Sequence, residues 1–222
     1  EVEKKLASAQ YKVMTVTHVD TSTGVAADAK ALAALARKYG ALTVLDGVCA
    51  TAGMECRQED WSVDVYLTAS QKAIAVPPGL ALLVASERAM EAFRKRKSLV
   101  RSYYADWGKW LPIMEAYRGR KAGYFGTPAV NLIYALNVSL SQILAEGMDA
   151  RFARHRRLSN GFKAAMKALG LSQVPVRPDI AAATLSAVYY PEGVGAELLP
   201  KVAAEGVVLA GGLHPDIKTR YF

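Results

Sequence analysis

The pattern of hydrophobic and polar positions in the first third of the chain alternates between strand-like and helix-like spacing. Three segments have the composition of short buried strands: residues 11–17, 41–45 and 63–69. Between the first two, apolar residues recur at helical spacing. Asp28 caps this helix, which runs to Tyr39, and Gly40 ends it. Strand, helix and strand in this order predict a right-handed β-α-β unit with a parallel sheet.

A fourth strand is predicted at Leu80–Ala85, directly after Pro77-Pro78-Gly79. This link is too short for a crossover helix, which favours an antiparallel partner. Three helices are predicted next: one from Ser86 or Glu87 to the basic run at 94–97, one that leaves an aromatic loop at 103–110 and continues through Ala116, and one at 129–146.

The pattern of apolar and polar positions changes at Gly147, which ends the helical pattern at 129–146. Beyond it the pattern predicts a helix at 149–169, a strand at 183–190, a helix at 196–205 and a strand at 207–210. We therefore predict a large domain that includes residues 1–147 and a small α+β domain at 148–222.

Composition places the chain among globular proteins. Its 222 residues are 52% hydrophobic and 22% charged, and its apolar runs are much shorter than a bilayer span. We expect a soluble protein because these runs are short, and an intracellular one because two cysteines give at most one bridge. The first residues form neither a signal peptide nor an arginine-rich transit peptide. The pattern leaves cytoplasm, peroxisome and mitochondrion open. Cys49 and Cys56 do not have zinc-site spacing, so reduced thiols and no metal are expected.

The formal net charge of +8 raises the question of a nucleic-acid partner. The cations fall mostly on helical segments, as in residues 87–101 and 151–157, without the interleaved aromatic residues of a base-stacking surface. This favours a basic site for acidic small molecules over nucleic-acid binding.

Polar side chains follow the ends of the three parallel strands. Residues 21–23, Asp46 and Lys72 should meet at one edge of the sheet, where open α/β folds bind ligands. A partly desolvated lysine there can act as an amine nucleophile toward a carbonyl, although a lone lysine is more often an ordinary loop residue. Asp46 and Lys72 together match the needs of a pyridoxal cofactor, which takes an amine at its aldehyde and a carboxylate at its ring nitrogen.

Several short motifs in this sequence strengthen that interpretation: His18-Val19-Asp20-Thr21-Ser22-Thr23-Gly24-Val25, Leu45-Asp46-Gly47-Val48, Ser70-Gln71-Lys72, Pro77-Pro78-Gly79 and Tyr124-Phe125-Gly126-Thr127-Pro128. In order and interval the chain resembles the class V aminotransferases of the pyridoxal-phosphate fold-type I superfamily, in particular the alanine–glyoxylate and serine–glyoxylate group. The resemblance implies an α/β fold with a mostly parallel central sheet, helices on both faces and a small C-terminal α+β domain. Residues 1–147 would then be the C-terminal part of the cofactor-binding domain.

The resemblance also implies site residues for pyridoxal 5'-phosphate. Lys72 is similar to the Schiff-base lysine that also moves the substrate proton, and Asp46 to the carboxylate at the ring nitrogen. Gln71 resembles a phosphate ligand and Thr21 a residue at the ring edge. The implied reaction is a two-step amino transfer between alanine or serine and a 2-oxo acid, glyoxylate or pyruvate.

Tyr124 and Thr127 resemble a pair that reaches the phosphate in the neighbouring subunit, which implies a homodimer with shared sites. The family's phosphate cup and ring-stacking aromatic are expected before Glu1. Its substrate-carboxylate arginine is expected after Phe222 and is not Arg220. Both domains of this chain are therefore expected to be incomplete.

Other functions on the same fold stay open. Phosphoserine and aminoethylphosphonate aminotransferases are alternatives within the class, and a non-catalytic binding module is an alternative outside it. A cysteine desulfurase is disfavoured because no cysteine follows Cys56 and Gln71 stands where that group usually has a histidine.

Overall fold

A computed structural model describes residues 1–222 with their side chains. Its sheet has four strands: β1 (Val13–Thr17), β2 (Leu42–Asp46), β3 (Val65–Ala69) and β4 (Ala81–Ala85). They lie in the order β1-β2-β3-β4; the first three are parallel and β4 is antiparallel to β3. The α/β class, the mostly parallel sheet and the antiparallel fourth strand are thus confirmed.

Seven α-helices and one 3-10 turn accompany the sheet: α1 (Val2–Ser8), α2 (Ala29–Lys38), α3 (Glu87–Arg94), α4 (Trp107–Arg118), α5 (Val130–Glu146), α6 (Met148–Ala168), α7 (Leu198–Ala204) and the turn Pro178–Ile180. α1 was not predicted. α4 begins inside the predicted aromatic loop, because Asp106 accepts a hydrogen bond from Gly108 N at 2.9 Å and caps it. The basic residues at 95–97 follow α3 rather than belonging to it.

The first core cluster lies between α2 and the parallel strands. Asp28 caps α2 by accepting a hydrogen bond from Ala31 N at 2.9 Å, as predicted. The helix buries Ala29 and Ala33 against Val16 of β1 and Leu45 of β2. These small side chains let the helix approach the sheet closely, which fixes the β1–β2 crossover and places the ends of both strands at one edge.

At the opposite edge of the sheet, a buried carboxylate joins three segments. Asp64 accepts hydrogen bonds from Thr43 N and Arg88 Nη1, both at 2.8 Å, and from Ser86 Oγ at 3.2 Å. Arg88 also donates to Gly40 O at 2.9 Å. Because these partners neutralise and solvate the buried charge, this ion pair has a structural function. The adjoining groove of about 270 Å³ lies at the start of β3, whereas Lys72 follows the end of that strand.

The chain beyond Gly147 contains less regular structure than predicted. Gly147 has φ +84°, a left-handed conformation that separates α5 from α6. The predicted strands at 183–190 and 207–210 are wrong: the first makes only isolated bridges, and the second makes none. A strand needs a neighbour to satisfy its backbone, and no second sheet is present in residues 1–222. The division at Gly147 into two domains stays a prediction.

None of the helices is both long enough and apolar enough to cross a membrane.

Candidate active site

Asp46 ends the central strand of the parallel part of the sheet. Its backbone continues the ladder on both sides: His18 N donates to Asp46 O at 2.9 Å, and Gly47 N donates to Leu67 O at 2.8 Å. The side chain is half-buried, and its Oδ1 accepts a hydrogen bond from Val48 N at 2.9 Å. Its other oxygen, Oδ2, accepts no hydrogen bond from the protein, so a carboxylate oxygen remains for a ligand at this edge.

The turn after Asp46 is shaped by Tyr66 of β3. A Cβ on Gly47 would lie 2.2 Å from the Tyr66 hydroxyl oxygen, so only glycine fits there. That hydroxyl lies 2.7 Å from Thr51 Oγ1, which in turn donates to Gly47 O. Burial raises the pKa of Tyr66 to about 12, and the Asp46 charge contributes to the shift. Tyr66 therefore stays neutral and supports the turn that holds Asp46.

Lys72 lies in a loop that leaves β3 and returns as β4, and Ser70 closes this loop. Ser70 is fully buried; its Oγ donates to Pro77 O at 2.8 Å and accepts from Leu80 N at 3.3 Å. Its carbonyl accepts from Val76 N at 3.0 Å. The Ser70 hydroxyl thus links the start of an eleven-residue loop to backbone groups near its end. We call this loop the lysine loop (Ser70–Leu80).

Helix α5 packs against the lysine loop from outside the sheet. Ile74 and Val76 are buried in a cluster with Ile143 of α5, and Ser139 of the same helix donates a hydrogen bond to Ile74 O. The loop is thereby anchored on its apolar side, which holds the backbone at Lys72 in place.

The expectation that Lys72 is partly desolvated is wrong for residues 1–222. Lys72 and Gln71 are both exposed, because packing against α5 takes up Ile74 and Val76 and leaves the two polar side chains outside the core. An exposed amine on an anchored backbone can still reach a ligand at the sheet edge. The structure thus fixes the backbone of the lysine loop against α5 but does not bury the Lys72 amine.

The loop after β1 approaches the turn after Asp46. Thr21 is exposed, and its Oγ1 lies 2.9 Å from Cys49 Sγ. Within the loop, Asp20 accepts hydrogen bonds from Ser22 and from Thr23 Oγ1. Burial opposes ionisation of Asp20, but these hydrogen bonds outweigh it and lower its pKa. The structure therefore places Thr21 against Cys49 in the turn that follows Asp46. Cys49 was not among the predicted site residues.

Residues from the C-terminal part of the chain brace the same loops. Thr184 Oγ1 donates to Cys49 O, and Tyr221 donates its hydroxyl to Ser22 O. The Tyr221 hydroxyl also accepts from Leu213 N and His214 N, both at 2.8 Å. These contacts span 135 and 199 residues, so no local pattern could have indicated them.

His18 opens the first motif but is a structural residue. It is buried with its ring edge against Trp61, and burial lowers its pKa. The imidazole is packed in the core just after the end of β1. No group of three or more His, Cys, Asp or Glu side chains lies together anywhere in the chain.

Comparison with known proteins identifies the family. The model of the class-V aminotransferase family matches residues 1–217. The chain belongs to the class-V aminotransferase family. It is 39% identical over 226 residues to alanine–glyoxylate aminotransferase 1 of Saccharomyces cerevisiae. This alignment covers 99% of this chain and 58% of the relative. The chain is also 39% identical over 206 residues to L-aspartate–glyoxylate aminotransferase of Paracoccus denitrificans, in an alignment that covers 91% and 50%.

Solved structures agree with this assignment. The crystal structure of pyridoxamine-pyruvate aminotransferase from Mesorhizobium loti superposes with a TM-score of 0.90 at 30% identity over 99% of this chain and 56% of that one. The predicted fold and family are confirmed, and class-V aminotransferases are pyridoxal-phosphate enzymes. The chain spans about half the length of the curated relatives it matches.

The donor set of this class-V aminotransferase chain fits pyridoxal phosphate. A primary amine at Lys72 and an ionisable carboxylate with a free oxygen at Asp46 are the two groups that the aldehyde and the ring nitrogen require. The Thr21 hydroxyl and the Gln71 amide are exposed around them and can donate to polar atoms of the cofactor.

Tyr124 and Thr127 form a separate pair. The Tyr124 hydroxyl lies 2.9 Å from Thr127 Oγ1, both residues are exposed, and no hydrogen bond joins either to the Asp46 turn or the lysine loop. They border an aromatic group in which Phe125 contacts Tyr103 and Trp110 at centroid distances of 4.9 Å. The structure thus presents the pair on the surface without uniting it with the other four predicted site residues.

Proposed function

We propose that the protein containing this chain is a pyridoxal-phosphate-dependent aminotransferase that exchanges an amino group between alanine or serine and glyoxylate or pyruvate. The observation that supports it is the placement of Asp46 at the carboxyl end of β2 and of Lys72 on an anchored loop after β3. The names of the relatives, alanine–glyoxylate and pyridoxamine-pyruvate aminotransferases, support the substrate class.

In this proposal the side chains divide the work. When bound, pyridoxal phosphate supplies an electron-withdrawing ring that stabilises negative charge on the substrate carbon next to nitrogen. Asp46 Oδ2 would accept a hydrogen bond from the protonated ring nitrogen and would thereby keep that nitrogen charged. Lys72 Nζ would hold the cofactor at rest and, once released, would take the proton from the substrate carbon and deliver it to the cofactor carbon.

Neighbouring residues orient these two groups. Gln71 would donate a hydrogen bond to the phosphate of a bound cofactor, and Thr21 would donate one at its ring edge. Tyr66 remains a neutral support behind the Asp46 turn because its pKa is about 12. The anchored backbone of the lysine loop limits the volume that Lys72 Nζ explores, which keeps the amine in reach of the reacting carbon.

The proposal includes a homodimer in an intracellular compartment. Tyr124 and Thr127 then serve the site of the neighbouring subunit, which accounts for a hydrogen-bonded polar pair that is exposed and makes no hydrogen bond to this chain's own site loops. Exposed apolar side chains on the nearby α5, such as Ile133 and Tyr134, are consistent with a covered surface in the assembly.

Borohydride reduction followed by peptide mapping tests the central assignment. The whole protein, loaded with pyridoxal phosphate and reduced, should carry a phosphopyridoxyl group on Lys72. The Lys72→Ala variant should carry none and transaminate no substrate. Without cofactor it should keep the melting temperature of the cofactor-free wild type, because Lys72 is exposed and its side chain makes no hydrogen bond or ion pair in the structure. A reduced adduct on another lysine, or turnover by Lys72→Ala, would contradict the assignment.

The substrate class is tested with a matched panel. Alanine, serine and aspartate are offered as amino donors, each with glyoxylate and with pyruvate, because the relatives' names include an L-aspartate–glyoxylate enzyme. Alanine or serine should be preferred. Exclusive use of aspartate would keep the cofactor assignment and overturn the donor class.

A further inference from the structure

One side chain outside the motifs contacts both loops of the candidate site. Arg151, in the first turn of α6, donates from Nε to Ala52 O at 2.8 Å and from Nη2 to Ala73 O at 2.6 Å. Ala73 directly follows Lys72, and Ala52 lies in the turn that begins at Asp46. We call that turn the aspartate turn (Gly47–Met54). No other side chain hydrogen bonds to both the aspartate turn and the lysine loop.

The guanidinium is held in place by charge. Arg151 Nη1 lies 2.8 Å from Glu146 Oε2, and the Arg151 side chain is only 12% exposed. Glu146 is shared with Arg154, whose Nε lies 2.5 Å from Oε1. All three nitrogens of the Arg151 guanidinium thus donate hydrogen bonds: one to a carboxylate and two to backbone carbonyls of different loops.

Both loops need support from outside. Ala52 has φ +65° and Ala75 has φ +63°, left-handed conformations that cost a residue other than glycine roughly 1 kcal/mol each. Such conformations persist only where surrounding contacts over-determine them. Arg151 donates to the carbonyl of Ala52 itself and to the carbonyl two residues before Ala75.

We propose that Arg151 is a positioning residue that sets the separation between Asp46 and Lys72. One planar fork fixes the carbonyl next to the lysine and a carbonyl in the turn after the aspartate, so the two loops cannot move independently. The restraint is a property of this chain, and its effect on turnover rests on the proposed function.

Lysine cannot replace this geometry. An ammonium group has three donors around one nitrogen, and it cannot reach two carbonyls and a carboxylate that lie along the separate edges of a planar fork. Arg151→Lys therefore keeps the charge and the pairing with Glu146 while releasing at least one loop.

Arg154→Lys is the matched control. Arg154 lies one turn further along α6 and binds the same carboxylate, but it donates to no carbonyl of either loop. Both substitutions change the ion cluster alike, so a difference between them reports the loop contacts.

The first measurement is amide hydrogen exchange of the whole protein without cofactor. Arg151→Lys should speed exchange in the aspartate turn and the lysine loop together, while Arg154→Lys leaves both at the wild-type rate. If Arg151→Lys does not fold, Glu146→Gln, which removes the charge that orients the fork, should also loosen the two loops together. Loosening of one loop alone, or equal effects of the two lysine variants, would overturn the proposal.

The second measurement is steady-state kinetics of the loaded enzyme. Misplacement of Lys72 relative to Asp46 should lower kcat on the order of 10- to 100-fold in Arg151→Lys, with a smaller change in KM for the amino donor. Arg154→Lys should keep the wild-type kcat. Loosened loops with unchanged kcat would overturn the positioning effect. If the proposed reaction itself is wrong, wild-type protein shows no turnover, whereas the coupled exchange of the two loops is still observed.

Discussion

Two aspartates at opposite ends of neighbouring strands show how one residue type takes different functions. Asp46 is half-buried at the carboxyl end of β2 and keeps Oδ2 free. Asp64 is 1% exposed near the start of β3, and both of its oxygens are bonded to Thr43, Ser86 and Arg88. Asp46 can therefore bind a ligand, whereas both oxygens of Asp64 already bind groups of the protein.

This contrast predicts opposite effects of the same substitution. Asp46→Asn keeps an oxygen for Val48 N, so stability should change little, but loss of the charge at the ring nitrogen should lower kcat by about 100- to 1000-fold. Asp64→Asn should leave an unpaired Arg88 and cost about 3 to 5 kcal/mol of unfolding free energy, with kcat per folded molecule unchanged. Urea unfolding and steady-state kinetics of both variants measure the two effects. An equal loss of stability in both variants would refute the distinction.

At the scale of elements, the junction between α5 and α6 connects the helices to the site. Gly147 breaks the helix with φ +84°, which turns the start of α6 toward the lysine loop. Glu146, the last residue of α5, binds Arg154 and Arg151 across this break. The junction therefore holds the fork that contacts both loops.

The junction should make stability depend on acid pH. Hydrogen bonds from Arg154, opposed by burial and assisted by Arg151, lower the pKa of Glu146 from 4.5 to about 2. A folded-state pKa below the unfolded value means that protonation favours unfolding, so this contribution is complete above pH 4.5 and is lost as pH falls toward 2. The stability difference between wild type and Glu146→Gln should shrink over that window in urea titrations. A constant difference from pH 5 to 2 would show that Glu146 is not ion-paired in solution.

Local patterns predicted most elements because their causes are local. The strands β1 to β4 follow apolar runs, and Asp28 and Ser86 cap α2 and α3 as side-chain chemistry requires. The pattern failed at 207–210, where Val208 is 89% exposed and no neighbouring strand exists. β propensity needs a sheet to express it, and that information is not local.

The site was predictable to the same extent. Asp46 and Lys72 follow from strand ends, a consequence of topology. Arg151 contacts loops 99 and 78 residues away, so its position depends on how α6 packs. Lys72 was expected to be partly desolvated but is exposed. The reason is related: the burial of a loop residue depends on what covers the loop and not on the strand that precedes it.

At the scale of the whole molecule, the chain has a large uncovered apolar surface. On α5 alone, Tyr134 is 71% exposed, Leu144 72% and Val138 57%. Monomeric proteins seldom expose contiguous patches of this kind. The chain spans 58% of its relative from Saccharomyces cerevisiae. In the proposed homodimer, the second subunit would cover this surface.

Complementation between inactive variants tests the shared site. If Lys72 and the pair of Tyr124 and Thr127 serve one site from different subunits, a mixed dimer of Lys72→Ala with Tyr124→Phe/Thr127→Val contains one site with all wild-type residues. Co-expression should therefore restore activity above the sum of the two variants alone, because the lysine comes from one subunit and the hydroxyl pair from the other.

The control pairs two substitutions expected on the same side of the interface. A mixed dimer of Lys72→Ala with Asp46→Asn carries one defect in each site, because both residues lie at the same sheet edge of one chain, so no activity above the sum should appear. Activity is measured after separating the mixed dimers by two affinity tags, which removes the parent homodimers. Restoration in the control would mean that Lys72 and Asp46 serve one site from different subunits, and would contradict their placement at one sheet edge. No restoration in the test pair would mean that each subunit builds its site alone. Tyr124 and Thr127 would then be only a surface hydrogen bond near the aromatic group of Tyr103, Trp110 and Phe125.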